Sequence, residues 1–288
     1  MTTQTVSVPG ATLTYDVIGE LEPGVTPLVL IGSPMDASGF VTLASHFRDR
    51  VVVTYDPRNV GRSRRDDATA AVTFGEHADD LHAVLTAVGH GPVDVFASSG
   101  GAVNALVLVS RYPSDIRTLV AHEPPAGGTL PDRENIATVC AHMVATYDAH
   151  GRGPAMAEFM SLLMHAGPID DAFFGRPAPD PAQFGLTTED DGTRDDALMS
   201  NMRGGGVDFA PDVDALRAAP TTVVIGVGEE SGGPEDGHIA ARAAYSTATL
   251  LGSEPIVFPG GHSGFLGGEF GQTGKPTEFA ESLRKRLG

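Results

Sequence analysis

The chain has 288 residues, of which 41% are hydrophobic, and its 37 acidic and 19 basic residues leave a formal net charge of −18. This length can bury the core of one α/β domain with an insertion, and no apolar run approaches the roughly 18 residues that a transmembrane helix needs. Nucleic acids and anionic membranes repel an acidic chain, so we expect neither as a partner. The single cysteine, Cys140, excludes an internal disulfide bond. Together with the lack of a secretory signal in residues 1–9, it predicts a cytoplasmic location.

Apolar runs alternate with amphipathic segments at both ends of the chain. A hairpin is predicted over residues 5–18, with its turn at Pro9-Gly10. Buried strands are predicted at 27–31, 50–55, 118–121, 221–227 and 255–258, and helices at 41–47, 73–88, 237–251 and 276–287. Strands that alternate with helices form a mostly parallel, doubly wound sheet, so the pattern predicts an α/β fold.

The alternation stops between residues 126 and 217. No buried-strand pattern occurs there, and the helices predicted at 133–150 and 153–165 are followed by loops rich in Gly, Pro and Asp. An insertion of roughly 90 residues is too long to be an ordinary loop. We therefore predict an α-helical cap over 126–217, inserted after the sixth strand of a core formed by 1–125 and 218–288.

A short apolar strand that starts at residue 94 leads into an abrupt turn of tiny residues and then a helix that ends at Tyr112. Ser99 stands at the centre of this turn, with the small residues Ala97 and Gly101 two positions before and after it. A turn this tight leaves no room for larger side chains at the flanking positions and holds the central hydroxyl above the sheet. If Ser98 were central, one flank would be Phe96, which does not fit. Ser99 is therefore the candidate nucleophile.

The small-x-Ser-x-small turn resembles that of the α/β-hydrolase superfamily, with Ala97 in place of the more usual first glycine. The run Asp-Pro-Arg-Asn-Val-Gly-Arg-Ser at 56–63 is similar to the turn after the fourth strand of that superfamily. Asn59 replaces a glycine there, which is tolerable because asparagine also adopts left-handed backbone angles. The resemblance implies a serine-nucleophile member with a helical cap, similar to esterases, lactonases or non-haem haloperoxidases.

A serine nucleophile needs a base that a carboxylate orients, and the superfamily order along the chain is serine, acid, histidine. Of the ten histidines, His262 lies in the run Gly-Gly-His-Ser-Gly-Phe at 260–265, directly after the last predicted strand. This run resembles the surroundings of the catalytic histidine of the superfamily. His262 is therefore the candidate base.

Four carboxylates remain candidates for the acid. Glu230 is the first choice because the family acid follows the seventh strand, predicted here at 221–227. Glu123, at the end of the sixth strand, is the second, since some dehalogenases and lipases of the superfamily carry the acid there. Glu229 and Asp236 complete the set. The family spacing of Gly-x-x-Asp is not kept in this chain, so the sequence leaves the choice open.

The resemblance also implies an oxyanion hole of two backbone N–H groups. One is that of Gly100, which follows the nucleophile at a helix N-terminus, and the other is that of Ser33, in the loop after the third strand. Pro34 has no N–H group and cannot serve. The sequence has no His or Cys spacing typical of a metal site. The run at 226–231 nearly matches the glycine-rich fingerprint of dinucleotide-binding proteins but lacks its third glycine. We therefore expect neither a metal nor another cofactor.

The predicted function is hydrolysis of a carboxylic ester or lactone of a small, largely apolar molecule through an acyl-serine intermediate. Alternatives are C–C bond hydrolysis, a cofactor-free peroxidase or cyclase reaction, and a non-catalytic receptor for a small ligand. Met156, Met160 and Met164, four residues apart, are expected to pack one face of a cap helix onto the core, which would also line the pocket. Nothing in the sequence identifies the substrate or the oligomeric state, which leaves a homodimer open.

Overall fold

A nine-stranded sheet organises the chain in a computed structural model, which describes residues 1–21 and 24–287. The strands are β1 (Thr2–Val8), β2 (Ala11–Ile18), β3 (Leu28–Ile31), β4 (Val52–Tyr55), β5 (Arg64–Arg65), β6 (Val93–Ser98), β7 (Ile116–His122), β8 (Thr222–Gly228) and β9 (Ile256–Phe258). Their order is β1-β2-β4-β3-β6-β7-β8-β9, with the two-residue β5 paired to β2. The hairpin β1–β2 and its pairing to β4 are antiparallel, whereas β4, β3, β6, β7, β8 and β9 pair in parallel. Because parallel strands end at the same edge, the loops after β3, β6, β7 and β9 gather there.

Helices cover both faces of the sheet and fill the segment between β7 and β8. Those outside this segment are α1 (Val41–Ser45), α2 (Phe74–Val88), α3 (Gly100–Arg111), α9 (Ile239–Leu251) and α10 (Pro276–Leu287). Those between β7 and β8 are α4 (Arg133–His150), α5 (Arg152–Met164), α6 (Asp171–Phe174), α7 (Ala197–Arg203) and α8 (Val213–Ala218). None of the helices in residues 1–21 and 24–287 is both long and apolar enough to cross a membrane.

The buried apolar side chains of the described residues form three clusters. Leu81, Leu106 and Ala244 belong to the cluster on one face of the sheet, while Leu43 and Leu283 belong to the cluster on the other face. A third cluster joins α4, α5 and α7 to α9 of the core, so the helices between β7 and β8 have an interior of their own and are also attached to the core.

The predicted α/β architecture is confirmed. The insertion follows β7, which is the sixth strand in chain order when the two-residue β5, off the main path of the sheet, is left out. The helices α6 and α7 lie where the sequence analysis predicts loops, and α8 follows in a segment for which it predicts no element. Each is short and begins after an aspartate whose side chain accepts backbone N–H groups: Asp170, Asp196 and Asp212. The capping aspartates are therefore the sequence feature that could have predicted these helices. The helices themselves are too short for their apolar residues to show a helical period. Leu216 of α8 packs in the same cluster as Leu81 and Leu106, so α8 packs with the core although all but its last residue lie within 126–217.

The turn at 56–63 has the backbone that its sequence predicts. Asn59 is in the left-handed region with φ 57°. Arg58 is buried and its Nε lies 2.7 Å from a carboxylate oxygen of Asp80 on α2. The turn is therefore tied to the flanking helix and serves the fold.

Candidate active site

The turn after β6 places Ser99 at its apex. Ser99 has φ 56° and ψ −128°, an unfavourable backbone conformation for a residue with a side chain, and its N–H donates to the carbonyl of His122 at 3.0 Å. A Cβ atom on Gly100 would lie 2.6 Å from the carbonyl oxygen of Ser33, and one on Gly101 would lie 2.6 Å from that of Ile31. The close approach of these backbones explains why the turn needs small residues. Ser98, the rejected alternative, is the buried last residue of β6.

Glu123 follows β7 and is hydrogen-bonded to His262. Its side chain is 1% exposed, and Oε2 lies 2.5 Å from Nδ1 of His262. Oε1 accepts the N–H of Gly228 at 2.7 Å, which ties the carboxylate to the end of β8. Burial raises the pKa of Glu123, but the hydrogen bond from His262 and the nearby ring of His122 outweigh it and lower the pKa to about 2. The carboxylate is therefore ionised at neutral pH and holds Nδ1–H of His262, which leaves Nε2 to act as a base.

Glu230, the first choice of the sequence analysis for the acid, does not reach His262. Its side chain is 59% exposed and lies 2.8 Å from Nζ of Lys275, which also contacts Glu229 at 3.4 Å. Asp236 instead accepts the N–H of Gly233. The geometry thus corrects the order of the candidates and favours Glu123. The physical reason is that β7 lies beside β6 in the sheet, so the residue after β7 is a neighbour of Ser99, whereas the loop after β8 turns its acidic side chains to solvent.

Ser33 and Gly100, the predicted oxyanion donors, lie against each other at the carboxyl ends of β3 and β6. The hydroxyl of Ser33 accepts a hydrogen bond from Nδ2 of Asn201 at 3.2 Å, and Oδ1 of Asn201 lies 2.8 Å from Nε2 of His77. Burial lowers the pKa of His77 to about 4, so the ring is neutral and Nε2 carries the hydrogen that Oδ1 accepts. His77 and Asn201 were missed from the sequence because neither stands in a recognisable motif.

Ser99 and His262 line the same cavity, which has a volume of about 490 Å³. The apolar side chains from the insertion that line it are Met156, Phe159, Leu163, Leu198, Met202 and Val207. No Asp, Glu, Lys or Arg of the described residues lines the cavity, so its surface is apolar and uncharged apart from a few neutral polar groups. The expected methionine face is only partly correct: Met156 lines the cavity, but Met164 is 65% exposed at the end of α5. The face of α5 that meets the cavity is instead Met156, Phe159 and Leu163.

Within residues 1–21 and 24–287, no group of three or more His, Cys, Asp and Glu side chains is arranged to hold a metal ion.

Residues 28–190 match the family described as alpha/beta hydrolase fold. The chain belongs to this family and is an α/β hydrolase. It is 27% identical over 287 residues to the uncharacterized hydrolase YraK of Bacillus subtilis (strain 168), a match that covers 98% of this chain and 95% of the relative.

Solved structures of the same fold include a thermophilic esterase from Thermogutta terrifontis, with a TM-score of 0.67, 18% identity and coverage of 99% of this chain and 97% of the esterase. The enol-lactonase from Burkholderia xenovorans LB400 superimposes with a TM-score of 0.66 and 16% identity, and the match covers 99% of each chain. At these identities the likeness concerns the fold.

Proposed function

We propose that the protein is a serine hydrolase that cleaves a carboxylic ester or lactone of a small, largely apolar molecule through an acyl-serine intermediate. The observation that carries the proposal is the hydrogen bond from His262 to buried Glu123 beside a cavity that Ser99 also lines. A histidine oriented in this way can activate a serine hydroxyl. The names of the esterase and the enol-lactonase that share the fold agree with this reaction class.

In the proposed reaction, Oγ of Ser99 attacks the acyl carbon while Nε2 of His262 takes the hydroxyl proton. The N–H groups of Gly100 and Ser33 donate to the oxyanion of the tetrahedral intermediate. When that intermediate collapses, the alcohol leaves with the proton from His262 and the acyl group remains on Ser99. His262 then activates a water molecule, which releases the acid and restores the serine.

We further assign residues 126–217 the role of a cap. Apolar side chains of α5 and α7 line the same cavity as Ser99, so the insertion would contribute part of the surface that binds the apolar part of a substrate. The absence of charged lining residues among those described favours a neutral substrate, because a buried charge without a partner is unfavourable.

The test is hydrolysis of p-nitrophenyl acetate and butyrate by the wild type, Ser99→Ala and Ser98→Ala, together with labelling by a fluorophosphonate. Ser98 also lines the cavity and is the matched control. We expect Ser99→Ala to lose turnover by several orders of magnitude and to lose the label, because removal of a catalytic serine costs about 10⁶-fold in serine proteases. Ser98→Ala should keep both.

Three other outcomes would each overturn a part of the proposal. Loss of the label in Ser98→Ala alone would move the nucleophile to Ser98. Labelling of Ser99 without turnover of either ester would favour a C–C bond hydrolase or a peroxidase or cyclase. A folded wild type with neither label nor turnover would favour a small-ligand receptor.

A further inference from the structure

The side-chain hydroxyl of Ser33 is a cavity-lining group to which the proposed reaction gives no role. Ser33 lines the same cavity as Ser99 and His262. Its Oγ accepts a hydrogen bond from Nδ2 of Asn201 at 3.2 Å, so the hydroxyl hydrogen points away from that amide. Within the described part of the chain, this hydrogen is donated to no acceptor. The O–H group can therefore donate to a molecule in the cavity.

The position of this hydroxyl follows from the residue that carries it. The N–H of Ser33 is one of the two donors assigned to the oxyanion, and an Oγ atom lies about 3–4 Å from the nitrogen of its own residue in every rotamer. The Cβ of Ser33 lies 3.5 Å from the position that a Cβ atom on Gly100 would occupy, and Gly100 carries the other donor. An oxygen atom held by both N–H groups is therefore within reach of the Ser33 hydroxyl.

The hydrogen bonds that lead to Ser33 run in one direction. His77 donates through Nε2 to Oδ1 of Asn201, and Asn201 donates through Nδ2 to the Ser33 hydroxyl. Hydrogen bonds in such a chain polarise one another and strengthen the last donor, which favours a negatively charged acceptor. The cavity has no described cationic side chain that would balance a permanent anion. A negative charge that develops only during the reaction is the acceptor that suits neutral donors in an apolar cavity.

We propose that the Ser33 side chain is a further catalytic group, whose O–H donates a third hydrogen bond to the oxyanion beside the N–H groups of Ser33 and Gly100. The hydroxyl keeps its own proton throughout the reaction. Asn201 is then a positioning residue, because the hydrogen bond that it donates sets the direction of the Ser33 hydroxyl. This inference rests on the proposed function, since it requires a tetrahedral intermediate on Ser99.

The kinetic test removes the hydroxyl alone, in Ser33→Ala, which keeps the backbone N–H of residue 33. We expect kcat for p-nitrophenyl butyrate to fall about hundredfold with KM within about twofold of the wild type, because an oxyanion donor acts mainly in the transition state. The matched control is Ser98→Ala, which removes another serine hydroxyl from the cavity surface and should keep the wild-type kcat. Thermal unfolding checks that both variants are folded.

A pair of inhibitors distinguishes this role from a structural one. 1,1,1-Trifluorohexan-2-one forms a tetrahedral hemiketal with a catalytic serine, whereas hexan-2-one binds as a neutral ketone. We expect Ser33→Ala to raise the inhibition constant of the trifluoro ketone about hundredfold and to leave that of hexan-2-one unchanged. Equal weakening of both inhibitors would assign Ser33 to the fold of its loop and overturn the inference. So would an unchanged kcat in folded Ser33→Ala.

The rate of labelling by a fluorophosphonate separates this inference from the proposed function. Labelling needs a reactive serine and a site for the phosphoryl oxygen, but no turnover of an ester. If the wild type is labelled at Ser99 without turnover, the proposed ester hydrolysis fails, and labelling about hundredfold slower in Ser33→Ala would still support the third donor. If the wild type hydrolyses the esters and Ser33→Ala matches its turnover and labelling rates, the inference alone fails. A folded wild type with neither label nor turnover would overturn both.

Discussion

The two walls of the cavity are built in different ways. On the core side, the positions of Ser99 and Gly100 are set by backbone contacts, such as the approach of Gly100 to the carbonyl of Ser33. On the insertion side, α5 and α7 contribute apolar side chains that touch the cavity, among them Phe159 and Leu198. Backbone contacts tolerate almost no change, whereas apolar side chains of similar size can be exchanged at small cost. The core wall is therefore suited to hold the reacting groups in one fixed arrangement. The insertion wall is suited to changes of side chain that alter which molecule is bound.

A polar connection joins the two walls. Asn201 on α7 donates to Ser33 on the core side and accepts from His77 on α2. The insertion thus contacts the loop that we assign to the oxyanion hole, and it is not only a cover. Substitutions on each wall can measure what that wall contributes to activity, selectivity and stability.

Among the variants that compare the two walls, the largest effect is expected on the core wall, in Glu123→Gln. Glutamine keeps the size of the side chain but removes the charge that orients Nδ1–H of His262, so we expect kcat/KM for p-nitrophenyl butyrate to fall by about 10³–10⁴-fold. Glu230→Gln is the matched control and should stay within about twofold of the wild type, since its ion pair with Lys275 is exposed. A larger loss in Glu230→Gln than in Glu123→Gln would reverse the assignment of the acid.

The connection between the walls predicts a smaller effect. Asn201→Ala should lower kcat about thirtyfold with little change in KM, less than the 10²–10³-fold that loss of an oxyanion donor itself costs. If Asn201 acts through Ser33, the double variant Ser33→Ala/Asn201→Ala should be no slower than Ser33→Ala, as a double-mutant cycle would measure. Additive losses would show instead that the two residues act separately.

Leu163→Phe on the insertion wall should change selectivity more than chemistry. The larger ring reduces the space for an acyl chain, so we expect the ratio of kcat/KM for p-nitrophenyl octanoate to that for the acetate to fall about tenfold. The neighbouring Met164 is exposed and does not line the cavity, so Met164→Phe should leave the ratio unchanged. Equal changes in both variants would place the acyl chain elsewhere.

The smallest expected effect is on the pH dependence of stability, at the buried His122. His122 is buried among aromatic rings that include Phe258 and Phe279, and both ring nitrogens lack partners among the described residues. Burial lowers its pKa from 6.5 to about 4, despite the nearby charge of Glu123. The folded protein therefore binds fewer protons at this site than the unfolded chain between these pH values, and stability contributed by His122 is lost as the pH falls from 6.5 to 4.

His122→Phe should remove this dependence. At pH 7 the free energy of unfolding of the variant should differ from that of the wild type by less than about 1.5 kcal/mol. Between pH 6.5 and 4 this difference in free energy, the gap, should shift in favour of the variant. Urea unfolding at several pH values measures both quantities. A gap that stays constant over this range would mean that His122 is protonated in the folded protein or paired through water.

Much of the core wall could be predicted from the sequence because its determinants are local. Ala97, Gly100 and Gly101 surround Ser99 within a few residues, and the glycine-rich run around His262 follows its strand directly. A tight turn requires small residues at neighbouring positions, so it can be recognised from the local sequence. The same holds for the alternation of strands and helices, which predicted the fold and the place of the insertion.

Only the tertiary structure decided which residues from distant segments meet. Glu123 lies 139 positions from His262, and Asn201 lies 168 positions from Ser33. The pairing of β7 with β8 and of β8 with β9 brings the first pair together, and the packing of the short helix α7 over the cavity brings the second. The sequence by itself determined the tight turn around Ser99 and pointed to His262 as the candidate base, because the residues that mark each of them lie close together in the chain. The choice of acid and the polar contact across the cavity depended on strand order and helix packing, which no local pattern encodes.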